Sequence, residues 1–295
     1  MLDDNNKVQK IKMQANGILL SLMLLISSQS LCQTDLRGIW NGRITTDNHE
    51  AGADYMISIE EHKDGIVSGK ALLYKPNLFA YAYGVQQFFG TIEKGTITIN
   101  DIQIIDGRLP TSQYYLCFKL SKLQYKQSDG QESLSGNWTS ETPNCLPGKI
   151  SLTRLDEQNT AGVPEYVLKA IKRYGTEPGF RKTTLSKPLV VDVSNKILKL
   201  ELKDYLKEDN DTVSIFFNRQ PLFNKVNIKK KAHTFIILLN SDLAVNELIM
   251  YANNLGTIPP NTSNLVISDG RKTHNLLIES TLQKSVAIYL KYNPR

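Results

Sequence analysis

Tryptophan occurs only twice in the 295 residues, cysteine three times and histidine four times. So few thiols and imidazoles exclude a disulfide-dense scaffold and a Cys/His zinc module. The histidines, His49, His62, His233 and His274, are far apart, and no two share the i, i+4 spacing of a metal-binding helix. The chain also lacks a Gly-x-Ser-x-Gly elbow, a phosphate-cradling glycine loop and a cysteine-nucleophile motif. Glu60 and Glu61 are adjacent, but neighbours on a strand point to opposite faces and cannot share a site. With no catalytic signature, the sequence reads as non-enzymatic. No apolar run reaches the roughly 20 residues a bilayer-spanning helix needs. What remains is an ordinary globular composition: 41% apolar, 22% charged, 35 Lys+Arg against 29 Asp+Glu.

The most apolar run, residues 17–26, follows Lys7, Lys10 and Lys12 and precedes a small polar exit at 27–33. That order describes a secretory signal peptide over 1–32. Cleavage after Cys32 leaves Gln33 first. The rival readings are a short membrane anchor, a buried helix and a lipidated Cys32, for which Leu31 is a poor preceding residue. Export, whether to a periplasm, a cell surface or the medium, leaves Cys117 and Cys145. An even count in an oxidising compartment reads as one disulfide, with two buried thiols as the alternative. Such a bridge would pin the loop 140–148 and stabilise by roughly 3 kcal/mol on the chain-entropy account.

Between residues 33 and 155 the pattern is apolar–polar alternation in short runs. Strands are expected at 38–46, 54–61, 66–74, 85–93, 96–105, 114–126, 132–139 and 149–154. Turn signals fall at Asp64-Gly65, Lys94-Gly95 and Asp129-Gly130. Eight consecutive strands with short connections predict an up-and-down meander, closed into a barrel that removes its edges. Period two puts Trp40, Gly42 and Ile44 on one face. Tyr55, Ile57 and Ile59 share a face in the next strand, and Leu116, Phe118 and Leu120 in the sixth. In the last strand Ile150 and Leu152 share theirs with Arg154. A charge on an inward register needs a partner.

The pair Gly38-Ile-Trp40 and inward Arg154 resembles the calycin barrels, the lipocalin and avidin-like proteins. The segments 66–74 and 134–139 are also similar to avidin-like strands. The resemblance covers about 120 residues and rests on a short, permissive motif. It implies that Trp40 closes one barrel end with Arg154 packed across its ring, a cation–π contact. It says almost nothing of ligand, and no biotin-binding set is matched.

Residues 156–185 change character. Pro164 and Gly175 bracket a short helix over 163–174, whose stripe of Val163, Tyr166, Val167, Ile171 and Tyr174 suits docking. From 186 to 295 nine short strands suggest an antiparallel β-sandwich, immunoglobulin-like or jelly-roll. With neither cysteine nor tryptophan in this half, an antibody-type disulfide pin is excluded. The fold class expected is therefore all-β: barrel, linking helix, sandwich.

Three features bear on binding. Phe79, Tyr81 and Tyr83 alternate with alanines, so an extended chain puts three rings on one face above a barrel mouth. They would contact a small apolar or glycan-like ligand, or simply plug the barrel or pack on the second domain. Asp209 and Asp211, with Asn210, offer oxygen ligands for calcium in a loop that reads equally as a charged turn. Net charge is −1 over 33–154 and +5 over 186–295, with Lys229, Lys230 and Lys231 prominent. Export disfavours nucleic acid, which leaves an anionic envelope polymer or plain edge-strand protection. The leading expectation is an exported, non-catalytic ligand-binding protein. The alternative is a structural or adaptor protein of the cell envelope, engaging other proteins with its barrel filled.

Overall fold

The computed structural model describes residues 34–47, 49–74, 82–109, 116–156, 160–173, 179–205 and 208–294. The expected signal segment, Cys32, Phe79 and Tyr81 lie outside them. Residues 37–295 form one compact unit.

Eight strands open the fold: β1 (Gly38–Thr46), β2 (His49–Lys63), β3 (Ile66–Tyr74), β4 (Tyr83–Glu93), β5 (Thr96–Arg108), β6 (Lys119–Ser128), β7 (Gln131–Ser140) and β8 (Gly148–Arg154). Each pairs with the next, and β8 returns to β1 to close the barrel. Every pairing is antiparallel. Two-residue hairpins tighten the meander at Asp64-Gly65, Lys94-Gly95 and Asp129-Gly130. Both residues of each have positive φ, the primed-turn geometry that matches strand twist and favours glycine second.

The interior register carries Trp40, Tyr55, Ile57, Phe88, Ile97, Leu123 and Leu134, all at most 2% exposed. Burying such side chains contributes about 1.5–3 kcal/mol each. The strands close tightly where the inward residue is glycine: a Cβ on Gly42 would lie 2.1 Å from the Ser151 carbonyl oxygen. The sixth strand departs from expectation. It begins at Lys119, not at 114, and turns Lys119, Ser121 and Leu123 inward while Phe118 is exposed. The reason is local: residues 116–118 lie outside the ladder, and the Cys117–Cys145 disulfide holds them to the 140–148 loop.

Strand β3 is buried along nearly its whole length, on both faces. Its outer side, with Ile39, Met56 and Val85, is covered by Val167, Ala170 and Ile171 of helix α1 (Glu165–Arg173). Pro164 sits just before the first helical residue, where its missing N–H costs nothing.

The second half has β9 (Thr184–Leu185), β10 (Leu189–Val193), β11 (Ile197–Asp204), β12 (Thr212–Phe217), β13 (Gln220–Asn227) and β14 (His233–Leu238). It continues with β15 (Asn246–Ala252), β16 (Asn261–Ser268), β17 (Thr273–Ser280) and β18 (Lys284–Tyr292). One sheet runs β10-β18-β15-β12-β13 with β9 beside β18, the other β14-β11-β16-β17. Leu198, Leu200 and Leu202 from one sheet meet Val213, Ile215 and Ile288 from the other in a single core. The sheets are antiparallel except at one edge, where β9 and β10 run parallel to β18. Parallel neighbours need a long connection between them, and here nearly the whole sandwich supplies it.

The sandwich is clamped to the barrel. The β12–β13 hairpin turns through Asn218 and Arg219, both with positive φ. Arg219 is 3% exposed and binds Glu61 of β2 at 3.0 Å and Glu247 of β15 at 2.7 Å. Beside it Glu60 holds Lys70 at 2.6 Å and Arg181 at 2.9 Å. Ile66 and Phe89 pack against Leu243, Val245 and Tyr289. Burial pushes the Glu247 carboxyl up to about 7, with Arg219 opposing and Glu61 adding to the rise.

Candidate functional site

The two ends of the barrel are built differently. At one, the Arg154 guanidinium lies 4.4 Å from the centre of the Trp40 ring, and Nη1 donates to the Arg37 carbonyl at 2.5 Å. Its Nε pairs with Glu132, whose Oε1 also accepts the Tyr125 hydroxyl at 2.8 Å. Tyr125 meets Trp40 edge-on at 6.3 Å. Cation, ring and carboxylate thus seal this end.

The other end holds an ion pair inside the wall. Lys119 Nζ lies 2.6 Å from Asp101 Oδ2, with side chains 3% and 1% exposed. It also donates to Gln86 Oε1 at 2.5 Å and the Cys117 carbonyl at 3.2 Å, which uses all three ammonium hydrogens. Gln86 Nε2 donates to the same carbonyl at 2.9 Å. The ammonium stands 5.4 Å from the ring centre of Tyr55. Burial, and then the Asp101 charge, push that phenol well above its usual range, so it remains protonated. Asp101 Oδ1 is buried with no hydrogen-bond partner.

Sequence reasoning missed this pair, although a signal was there. Asp101 continues the inward register of Ile97 and Ile99, as Lys119 continues that of Ser121 and Leu123. Opposite charges on two neighbouring inward registers imply a pair.

Of the three expected ligand-contacting rings, only Tyr83 is described. It lies on the outer face opposite Tyr74, donates its hydroxyl to Asp106 Oδ2 at 2.7 Å and packs on Tyr166 of α1, ring centres 6.0 Å apart. Cys117 and Cys145 form the disulfide. Asp209 and Asp211 are buried, at 6% and 3% exposed, at one end of the sandwich. Burial, then Asp209 and Asp204, raise the Asp211 carboxyl to about 6, against one hydrogen bond from the Thr262 N–H.

No known protein family matches the chain, and no curated protein is similar to it.

Proposed function

We propose that this is an exported, non-catalytic adaptor of the cell envelope, a filled barrel clamped to a sandwich that engages another protein through the sandwich. The observation that carries the reading is the filled barrel: bulky side chains occupy its interior register, one end is sealed by Trp40 and Arg154, and the other holds a paired Lys119. A barrel packed this way acts as a rigid core. The disulfide accords with an oxidising compartment, and so with the leader-like residues 1–32.

The engaging surface in this reading is the edge strand β14. The three most exposed large apolar side chains among the described residues, Ile236 at 69%, Leu238 at 65% and Ile197 at 57%, stand together on β14 and its neighbour β11. Exposed Lys229, Lys230 and Lys231 flank them. An open edge with apolar anchors and a basic margin fits an acidic, extended segment of a partner, added as a further strand. A photoreactive residue in place of Ile236, introduced in the native host, is expected to capture a discrete partner. The same group in place of Glu279, on β17 at the opposite edge, is expected not to. Capture at both positions, or at neither, would contradict the adaptor reading.

A second reading rests on Asp101, whose Oδ1 is buried without a hydrogen-bond partner beside Lys119, at the barrel end away from Trp40. It holds that a small ligand with a donor group binds there.

A further inference from the structure

We propose that the end of the sandwich where β11, β12 and β16 meet is a calcium site, with Asp204, Asp209, Asp211, Asn261 and Ser263 as its oxygen donors. The site is separate from the β14 edge and does not depend on the adaptor reading.

The placement follows from strand registers. Leu198, Leu200 and Leu202 face the core from β11, and Asp204 is the next residue on that face. It stands opposite Ser263 of β16. Asn261 and Ser263 likewise extend the inward series of Leu265 and Ile267. Asp211 lies two residues before inward Val213. At this end the hydrocarbon core gives way to a layer of oxygen-bearing side chains, all at most 8% exposed.

Backbone contacts draw the layer together. The Thr262 N–H, between Asn261 and Ser263, donates to the Asp211 carboxylate. The Ile258 N–H donates to Asp209 Oδ2 at 2.7 Å, and the Thr257 N–H to the Asp209 carbonyl at 3.1 Å. Gly256 leaves room for that carboxylate, since a Cβ there would come within 2.4 Å of Oδ2.

What points to a ligand is the set of atoms left over. Asp209 Oδ1, Asp211 Oδ1, Asn261 Oδ1 and Ser263 Oγ are buried without a hydrogen-bond partner. Asn261 and Ser263 are wholly buried. The Asn261 amide nitrogen is engaged by the Asn254 carbonyl at 3.3 Å, which leaves its oxygen as the unused acceptor. Buried acceptors left without a partner are costly, and a bound cation relieves several of them at once. Carboxylate, amide and hydroxyl oxygens without nitrogen or sulfur are a hard-cation set. Such a mixed set of oxygens suits calcium, which accepts six to eight oxygens in flexible geometry, better than magnesium, which demands a near-ideal octahedron. Among the described residues no three His, Cys, Asp or Glu side chains are already gathered as a metal group. Calcium would therefore draw the aspartates inward, with Asn261 and Ser263 completing the shell.

The test is calorimetric titration of calcium chloride into the full mature chain after chelator treatment, paired with thermal unfolding. One site per chain is expected, with Kd at or below about 10⁻³ M, the weak limit of extracellular calcium modules. Asp209→Asn and Asp211→Asn are each expected to weaken binding at least about tenfold, because ligand charge sets affinity. Asp269→Asn, at the far end of β16, should leave it unchanged. Ser263→Ala removes only an unpartnered hydroxyl and serves if an aspartate variant does not fold; it should weaken calcium severalfold. The proposal is overturned if calcium produces neither heat nor a rise in Tm up to about 10 mM, well above that limit. It is equally overturned if binding survives these substitutions unaltered, or if magnesium binds as tightly.

Discussion

In the barrel and at its junction, buried and half-buried charges come as opposite pairs; at the end of the sandwich buried aspartates face one another. Asp101 meets Lys119, Glu132 meets Arg154, and at the junction Glu61 and Glu247 share Arg219. The Asp211 carboxyl faces Asp209 and Asp204 instead. Burial penalises such ions, and an opposite charge elsewhere on the same chain is the simplest compensation. Where the chain supplies that partner, the polar group is part of the framework. At the sandwich end the charges facing Asp211 are other aspartates, with the Thr262 N–H as a backbone donor, and the proposed calcium would supply the opposite charge. The same reasoning separates Asp269, which is also a buried aspartate of the sandwich but is fully engaged. It accepts the backbone N–H groups of Ser194, Arg271 and Lys272 at 2.8, 2.8 and 2.7 Å.

The largest effect is expected from breaking a barrel pair. Lys119→Met leaves Asp101 buried and uncompensated, and should cost about 3–5 kcal/mol in urea unfolding. Lys119→Met combined with Asp101→Leu should recover most of that loss, because the penalty belongs to the orphaned charge. If the single variant were nearly neutral, the paired-charge half of the contrast would collapse.

A smaller loss is expected at Asp269. Burial opposes its ionisation, but the hydrogen bonds from Lys272, Ser194 and Arg271 outweigh it and hold the carboxyl well below the usual range. Its folded pKa is therefore lower than its unfolded one. The contribution is complete above about pH 4 and disappears as pH falls further. Asp269→Asn should cost about 1–2 kcal/mol at neutral pH and much less near pH 2, read from denaturant midpoints.

Asp211→Asn should act in the opposite direction. Without calcium, removing one of several crowded like charges is expected to stabilise by up to about 1 kcal/mol. A destabilised calcium-free variant would place Asp211 with Asp269 and erase the distinction between them.

Much of the architecture was legible because it depends on local chemistry. Hairpins at Asp64-Gly65, Lys94-Gly95 and Asp129-Gly130 need positive φ, and the residues advertise it. Proline marked the start of α1, and period two marked the inward face of β1, β2 and β8. What escaped is non-local. The register of β6 is set by the irregular segment 116–118 and its disulfide, so one residue of slip exchanged Phe118 for Lys119 on the inner face. The role of Arg219 depends on carboxylates 158 and 28 residues away in the chain. The loop aspartates 209 and 211 were visible as oxygen donors. Asp204, Asn261 and Ser263 were not, because only the pairing of β11 with β16 brings them alongside.

Native mass spectrometry of the protein taken from its host, in a calcium-containing volatile buffer, tests the filled barrel and the sandwich-end site at once. The expected result is a chain with one disulfide, a single calcium ion whose occupancy Asp211→Asn lowers, and no organic adduct. An organic molecule released on denaturation would contradict the filled barrel, and a chain without calcium would contradict the site at the sandwich end.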